Sequence, residues 1–163
     1  MVAWRNLFKK DIEGLMQVAD AVLLGLPESS RVFAERVKLY PEGCLALEDT
    51  DGQICGYAIS HPIRHHQPPA LDTLLGEIAS DANTYYIHDT AILPEFRGAG
   101  LAAECVHKLL EVASRLGFRV CRLVSIYGTE SFWARFGFVN ESVGGLLQDK
   151  LRATEWKLFI CHD

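Results

Sequence analysis

The tightest constraint on this chain lies in residues 85–117, YYIHDTAILPEFRGAGLAAECVHKLLEVASRLG. Residues 85–92 are dense in aromatic and β-branched side chains, which predicts a buried strand. Pro94 cannot donate to a sheet ladder and closes it. Arg97, Gly98, Ala99 and Gly100 carry little bulk and predict a short loop. From Leu101 onward, Ala102, Cys105, Leu109, Val112, Ala113 and Leu116 recur at three- and four-residue spacing, one apolar face of a helix. Glu104 with Lys108, and Glu111 with Arg115, are i,i+4 pairs for its wet side. Gly117 stands where a C-terminal glycine ends a helix. The first turn of such a helix has amides without intrahelical partners and carries the positive end of the macrodipole. Small residues there let an anion reach the backbone, so 98–103 predict a phosphate or pyrophosphate site. No Gly-Lys-Ser/Thr follows the glycines, which excludes a Walker loop, and the spacing is not G-x-G-x-x-G.

Arg97-Gly98-Ala99-Gly100-Leu101-Ala102 resembles the Arg/Gln-x-x-Gly-x-Gly/Ala motif of the GCN5-related N-acetyltransferase (GNAT) superfamily. Thr90 to Phe96 resembles the end of that family's fourth strand and its turn. Phe132-Trp133-Ala134-Arg135-Phe136-Gly137-Phe138 resembles its late FYxxxGF stretch. The three landmarks stand in the family's order and spacing over about 85–140.

The rest of the chain is compatible with that order. Residues 2–5 read as a strand. Asp11 is placed to cap a helix to about Leu24, and Pro27 breaks it. Residues 28–39 read as a second helix. Residues 44–48 and 53–60 form a hairpin around Asp49-Thr50-Asp51-Gly52. Residues 61–84 read as an irregular connection with Pro62, Pro68 and Pro69, and a short helix at 71–78. A connection this long is often a binding loop, and His61, His65 and His66 read as scattered solvent-exposed histidines rather than metal ligands. Residues 119–126 predict a buried strand in a parallel strand–helix–strand crossover. A short helix to Phe136 and strands at 138–141 and 155–161 follow.

Length predicts one domain over 1–163. A net charge of −5 argues against a nucleic-acid partner. No apolar run is long enough to cross a membrane, and the N-terminus lacks a secretory core. Cys44, Cys55, Cys105, Cys121 and Cys161 show no C-x-x-C pairing and fit buried thiols of a cytoplasmic protein. The sequence leaves monomer and homodimer open.

The resemblance implies a mixed α/β fold: a splayed sheet of six to seven strands flanked by about four helices. It implies an acetyl-CoA-dependent acetyltransferase acting on a small-molecule or peptide amine by direct transfer in a ternary complex, without metal. Pantetheine would lie along Thr90, Ala91 and Ile92, and the pyrophosphate on the amides of Gly98, Ala99, Gly100, Leu101, Ala102 and Ala103, with Arg97 adding positive charge. A backbone N–H near Ile92 would serve the oxyanion. His88, four residues before Ile92, is the expected general base; a structural histidine bonded within the strand is an equal reading. Asp89 faces the other way in a regular strand and the same way across a bulge. Trp133 stands where many members carry a tyrosine acid, so Tyr127 or water would take that role, and Trp133 reads as core. The alternative function is a non-catalytic acyl-CoA-binding or sensory module on the same fold.

Overall fold

A computed structural model describes residues 1–23, 27–65, 67–125, 129–141 and 154–160. In chain order it contains β1 (Ala3–Asn6), α1 (Ile12–Val22), α2 (Ser30–Leu39), β2 (Cys44–Glu48), β3 (Ile54–Ile63), β4 (Thr84–Ile92), α3 (Leu101–Arg115), β5 (Val120–Ser125), α4 (Glu130–Ala134), β6 (Val139–Asn140) and β7 (Thr154–Phe159). The strands form one mixed sheet in the order β1-β2-β3-β4-β5-β7-β6. Among the described residues only β4 and β5 run parallel; every other pair of neighbours is antiparallel.

Each face of the sheet carries its own core. On one side Cys105, Leu109 and Ala113 of α3 pack with Tyr85, Ile87, Cys121 and Leu123. On the other, Leu15, Val18 and Ala19 of α1 and Phe33 of α2 pack with Ala46, Tyr57, Ile59 and Ala91. The C-terminus of α3 closes as the glycine predicts. Gly117 lies at φ 86, its N–H donates to Ser114 O at 3.0 Å, and the Phe118 N–H reaches back to Ala113 O at 3.0 Å. That pair of bonds is a Schellman motif.

Four expectations are corrected. Asp11 does not cap α1 with its side chain: it is salt-bridged to Arg5 at 2.8 Å and accepts the Phe8 N–H at 2.9 Å. The second helix starts at Ser30, leaving Glu28 ahead of it. Residues 71–78 form no helix, because side chains of the α2 region take up their amides: Leu75 N–H donates to Glu35 Oε1 at 2.6 Å and Gly76 N–H to Glu35 Oε2 at 2.9 Å. Finally, β3 runs on through His61 and Pro62 to Ile63, so His61 is a buried strand residue. Pro62 is tolerated because β2 pairs with β3 only as far as Ile59, beyond which no ladder bond on that side is lost.

The foot of β4 is locked by a close approach. Ser60 Oγ donates to Gly43 O at 2.9 Å and is 2.6 Å from Tyr85 Oη. A Cβ on Gly43 would fall 2.2 Å from Ser60 O and 2.8 Å from Tyr85 Oη. Gly43→Ala is therefore expected to destabilise the protein by about 1–3 kcal/mol, seen as a lower midpoint in chemical denaturation. Gly76→Ala, with open space at its Cβ, carries only the cost of its positive φ.

Candidate active site

The site begins with one extra residue. Along β3 and β4, Ile59 faces Asp89 while Ser60 faces Ile87, so His88 is inserted into β4 as a β-bulge. The insertion reverses the alternation of the strand. Tyr85 and Ile87 face the α3 core, yet Ala91 faces the α1/α2 core; a regular strand would keep all three on one side. The bulge also puts His88 and Asp89 on the same side. His88 reaches Glu28 ahead of α2, and Asp89 accepts the hydroxyl of Tyr57, whose ring packs edge-on to Phe33 of α2.

At the same place β4 parts from β5. Their parallel pairing runs from Tyr85 with Cys121 to Ile87 with Leu123 and stops, while β4 continues to Ile92 and β5 to Ser125. The Leu93 N–H donates to Cys55 O at 2.9 Å. Antiparallel rungs alternate, so Ala91 turns its peptide groups toward β3 while Thr90 and Ile92 turn theirs toward the opening. Ile92 O is used there by Arg97 Nε, which donates to it at 2.9 Å. Arg97 thus braces the loop against the end of β4.

After a 3-10 turn at Pro94–Phe96 the chain enters α3 through two left-handed glycines, Gly98 at φ 88 and Gly100 at φ 79. Nothing lies within 4 Å of a Cβ built on either glycine, so their conformation and not crowding calls for glycine. The Glu104 N–H bonds to Gly100 O at 3.0 Å. The amides of Leu101, Ala102 and Ala103 precede that bond and have no intrahelical acceptor. Trp4 Nε1 donates to Leu101 O at 2.8 Å and fixes the first turn. These residues offer an anion a set of amides at the positive end of a helix of four turns.

The side chains beside the bulge, on the α2 side of the sheet, are polar and buried. His88 Nε2 lies 2.8 Å from Glu28 Oε1, with side-chain exposures of 6% and 4%. Burial is the largest single influence and works against the Glu28 charge, but the His88 hydrogen bond and charge, the Asp72 N–H and the Arg36 charge together outweigh it, and Glu28 stays below the usual carboxylate range. An ionised carboxylate only accepts, so Nε2 is the donor. Nδ1 has no hydrogen-bond partner among the described residues. Asp89 differs: burial pushes it up to about 6, only partly offset by nearby His88 and the Tyr57 hydroxyl. His61, whose ring centroid is 6.1 Å from that of His88, donates from Nδ1 to Pro62 O, and burial pushes it down to about 4. Beside this group a cavity of about 60 Å³ is lined by Ile63, Pro68, Tyr86, Arg122, Leu123, Val124 and Trp156. Trp133 is buried edge-on to Phe132 and Phe138, a core residue as expected. Tyr127, His66 and Cys161 lie outside the described residues. The residue that sequence reasoning missed is Glu28, read there only as the start of a helix.

The model of the acetyltransferase (GNAT) family matches residues 12–138. The chain belongs to this family. Solved structures share the fold over almost the whole chain. The loading GNATL domain of CurA from Lyngbya majuscula is 16% identical with a TM-score of 0.81, covering 98% of each chain. The ribosomal-protein-S18-alanine N-acetyltransferase from Escherichia coli is 14% identical with a TM-score of 0.70, covering 100% of this chain and 96% of its own. The GNAT-like decarboxylase GphF, solved with isobutyryl-CoA, is 15% identical with a TM-score of 0.74, covering 98% and 100%. No curated protein matches by sequence. Among the described residues, no helix is long and apolar enough to cross a membrane.

The raised Asp89 makes a pH prediction. A carboxylate that is harder to ionise when folded favours the folded state at low pH, and this contribution is lost as pH rises from 3.8 through about 6. Relative to Asp89→Asn, the native protein should lose stability across that window, by an amount on the order of 1 kcal/mol because the half-buried group is partly screened. Urea denaturation of both proteins at pH 4 and pH 7 measures it.

Proposed function

We propose that this GNAT protein is an acetyl-CoA-dependent N-acetyltransferase that moves the acetyl group to a primary amine by direct transfer in a ternary complex. The observation that carries the reading is His88, bulged into the point where β4 leaves β5, with Nε2 on Glu28 and Nδ1 without a hydrogen-bond partner among the described residues. The residues present fit the cosubstrate: Thr90 and Ile92 offer backbone edges to the opening, and residues 98–103 offer amides and open space for a pyrophosphate. When bound, acetyl-CoA supplies a thioester carbonyl to the amine.

The residues of this chain do the rest. An alkyl amine has a pKa of about 10.4 and arrives protonated. His88 Nδ1 accepts that proton, and the Glu28 carboxylate on Nε2 balances the charge the ring then carries. A thiol of pKa about 8.5 leaves without a strong acid, so the buried Trp133 in place of a tyrosine does not block the reaction; Tyr127 is the candidate for final protonation. The amine is that of a small molecule or a peptide, and the 61–84 connection is the proposed wall of its pocket. A non-catalytic acyl-CoA module is the second reading, favoured by Trp133 alone. Release of free CoA thiol over a panel of primary amines separates the two.

Two further outcomes are expected. Gly100→Glu sets a carboxylate against the pyrophosphate amides, so CoA affinity measured by calorimetry should collapse in a folded variant; unchanged affinity would remove the site from this loop. His88→Ala should lower kcat/KM by roughly 10²–10⁴-fold and remove one inflection from its pH profile, while CoA affinity holds. An inflection that persists in the variant and moves with the acceptor belongs to the amine.

A further inference from the structure

Building on the reading of His88 as the base, we propose that Glu28 and the segment 71–76 form a positioning device for it: the segment holds the Glu28 carboxylate, and Glu28 holds His88 in the tautomer that leaves Nδ1 free. The two Glu28 oxygens are divided between the two tasks. Oε1 accepts from His88 Nε2 at 2.8 Å, and Oε2 accepts from the Asp72 N–H at 2.9 Å. The contact with Asp72 is reciprocal, since Asp72 Oδ1 accepts the Ser29 N–H at 2.8 Å. Asp72 adopts φ 54, a left-handed conformation that aspartate tolerates and that this clasp fixes.

The segment is tied to α2 along its length. Arg36, almost wholly buried, donates from Nη1 to Thr73 O at 3.1 Å and to Glu35 Oε1 at 3.0 Å. Glu35 in turn takes the amides of Leu75 and Gly76. A continuous set of hydrogen bonds therefore joins the surface segment to the imidazole. His88 Nδ1 is buried without a hydrogen-bond partner among the described residues, as are His61 Nε2 and two nitrogens of Arg36; of the two rings only that of His88 also has a carboxylate on its other nitrogen.

The surroundings leave Glu28 as the group that sets the ring. On the α2 side stand Glu28, Glu35 and Arg36; on β3, His61 and Tyr57; on β4, Tyr86 and Asp89; and on β5, Arg122, which pairs with Tyr86. Asp89 is engaged by the Tyr57 hydroxyl at 2.6 Å, and Arg122 by Glu141. A neutral imidazole exchanges its proton between two nitrogens unless one is claimed. Glu28 claims Nε2.

The test is the ¹⁵N spectrum of the neutral His88 ring, read with kcat and the KM for acetyl-CoA. The native protein should show a protonated Nε2 and a bare Nδ1. Glu28→Ala should mix the tautomers and lower kcat by about 10–10³-fold with KM for acetyl-CoA unchanged. Glu28→Gln keeps an acceptor oxygen and should restore the single tautomer but not the full rate. Glu35→Ala, which does not touch His88, should release the segment and lower kcat severalfold. A native tautomer in Glu28→Ala or, should that variant not fold, native kcat in Glu35→Ala overturns the positioning role. Mixed tautomers with native kcat would confirm that Glu28 orients the ring and overturn His88 as the base.

Discussion

The insertion of His88 into β4 is the constraint from which the rest of the site follows. A single unpaired residue reverses which side chains face α3 and which face α1 and α2. It also coincides with the last rung between β4 and β5. Without it, His88 and Asp89 would fall on opposite faces. Asp89 would then lose the Tyr57 hydroxyl or His88 would lose Glu28. A bulge costs a ladder bond and gains a bend, and here the bend opens the sheet where Thr90 and Ile92 present their backbone. The loop that follows is braced to the same strand end through Arg97 and Ile92. The opening of the sheet, the brace to the glycine loop and the polar cluster therefore all depend on one nine-residue strand.

The polar cluster is costly to bury and is held accordingly. Glu28, Arg36 and His88 are all nearly excluded from water. Breaking one partner from such a group typically costs 3–5 kcal/mol (about the range for buried pairs), because the other charge is left uncompensated. That energy explains why residues 71–76 lie flat on α2 rather than coiling into a helix of their own. Their amides are worth more on the carboxylates of Glu28 and Glu35 than in local i→i−4 bonds.

Local chemistry was readable in the sequence, and distant pairing was not. Gly117 announces the end of a helix and has the positive φ that this needs, and the short loop announced by the small residues 98–100 is there, entered through two left-handed glycines. The apolar spacing of α3 and the turn after Gly52 likewise depend on neighbours a few residues away. The Glu28–His88 contact joins residues 60 apart in the chain, and an acidic residue after Pro27 looks like the start of a helix. The only local sign of the bulge is that His88 and Asp89 are adjacent polar residues inside an apolar strand. His61 looked exposed because prolines follow it; the pairing of β3 with β2 stops at Ile59, and that is what lets the strand continue. The 71–78 helix failed for the same reason that Glu28 was missed: long-range side chains took its amides.

The most direct measurement is residue-resolved amide hydrogen exchange with and without CoA. The amides of Thr90, Ile92, Leu101, Ala102 and Ala103 should gain protection on binding, while Ala91, already turned toward β3, should change little. Protection confined to other segments, or spread equally over Ala91 and its neighbours, would contradict a cofactor cleft opened by the bulge at His88.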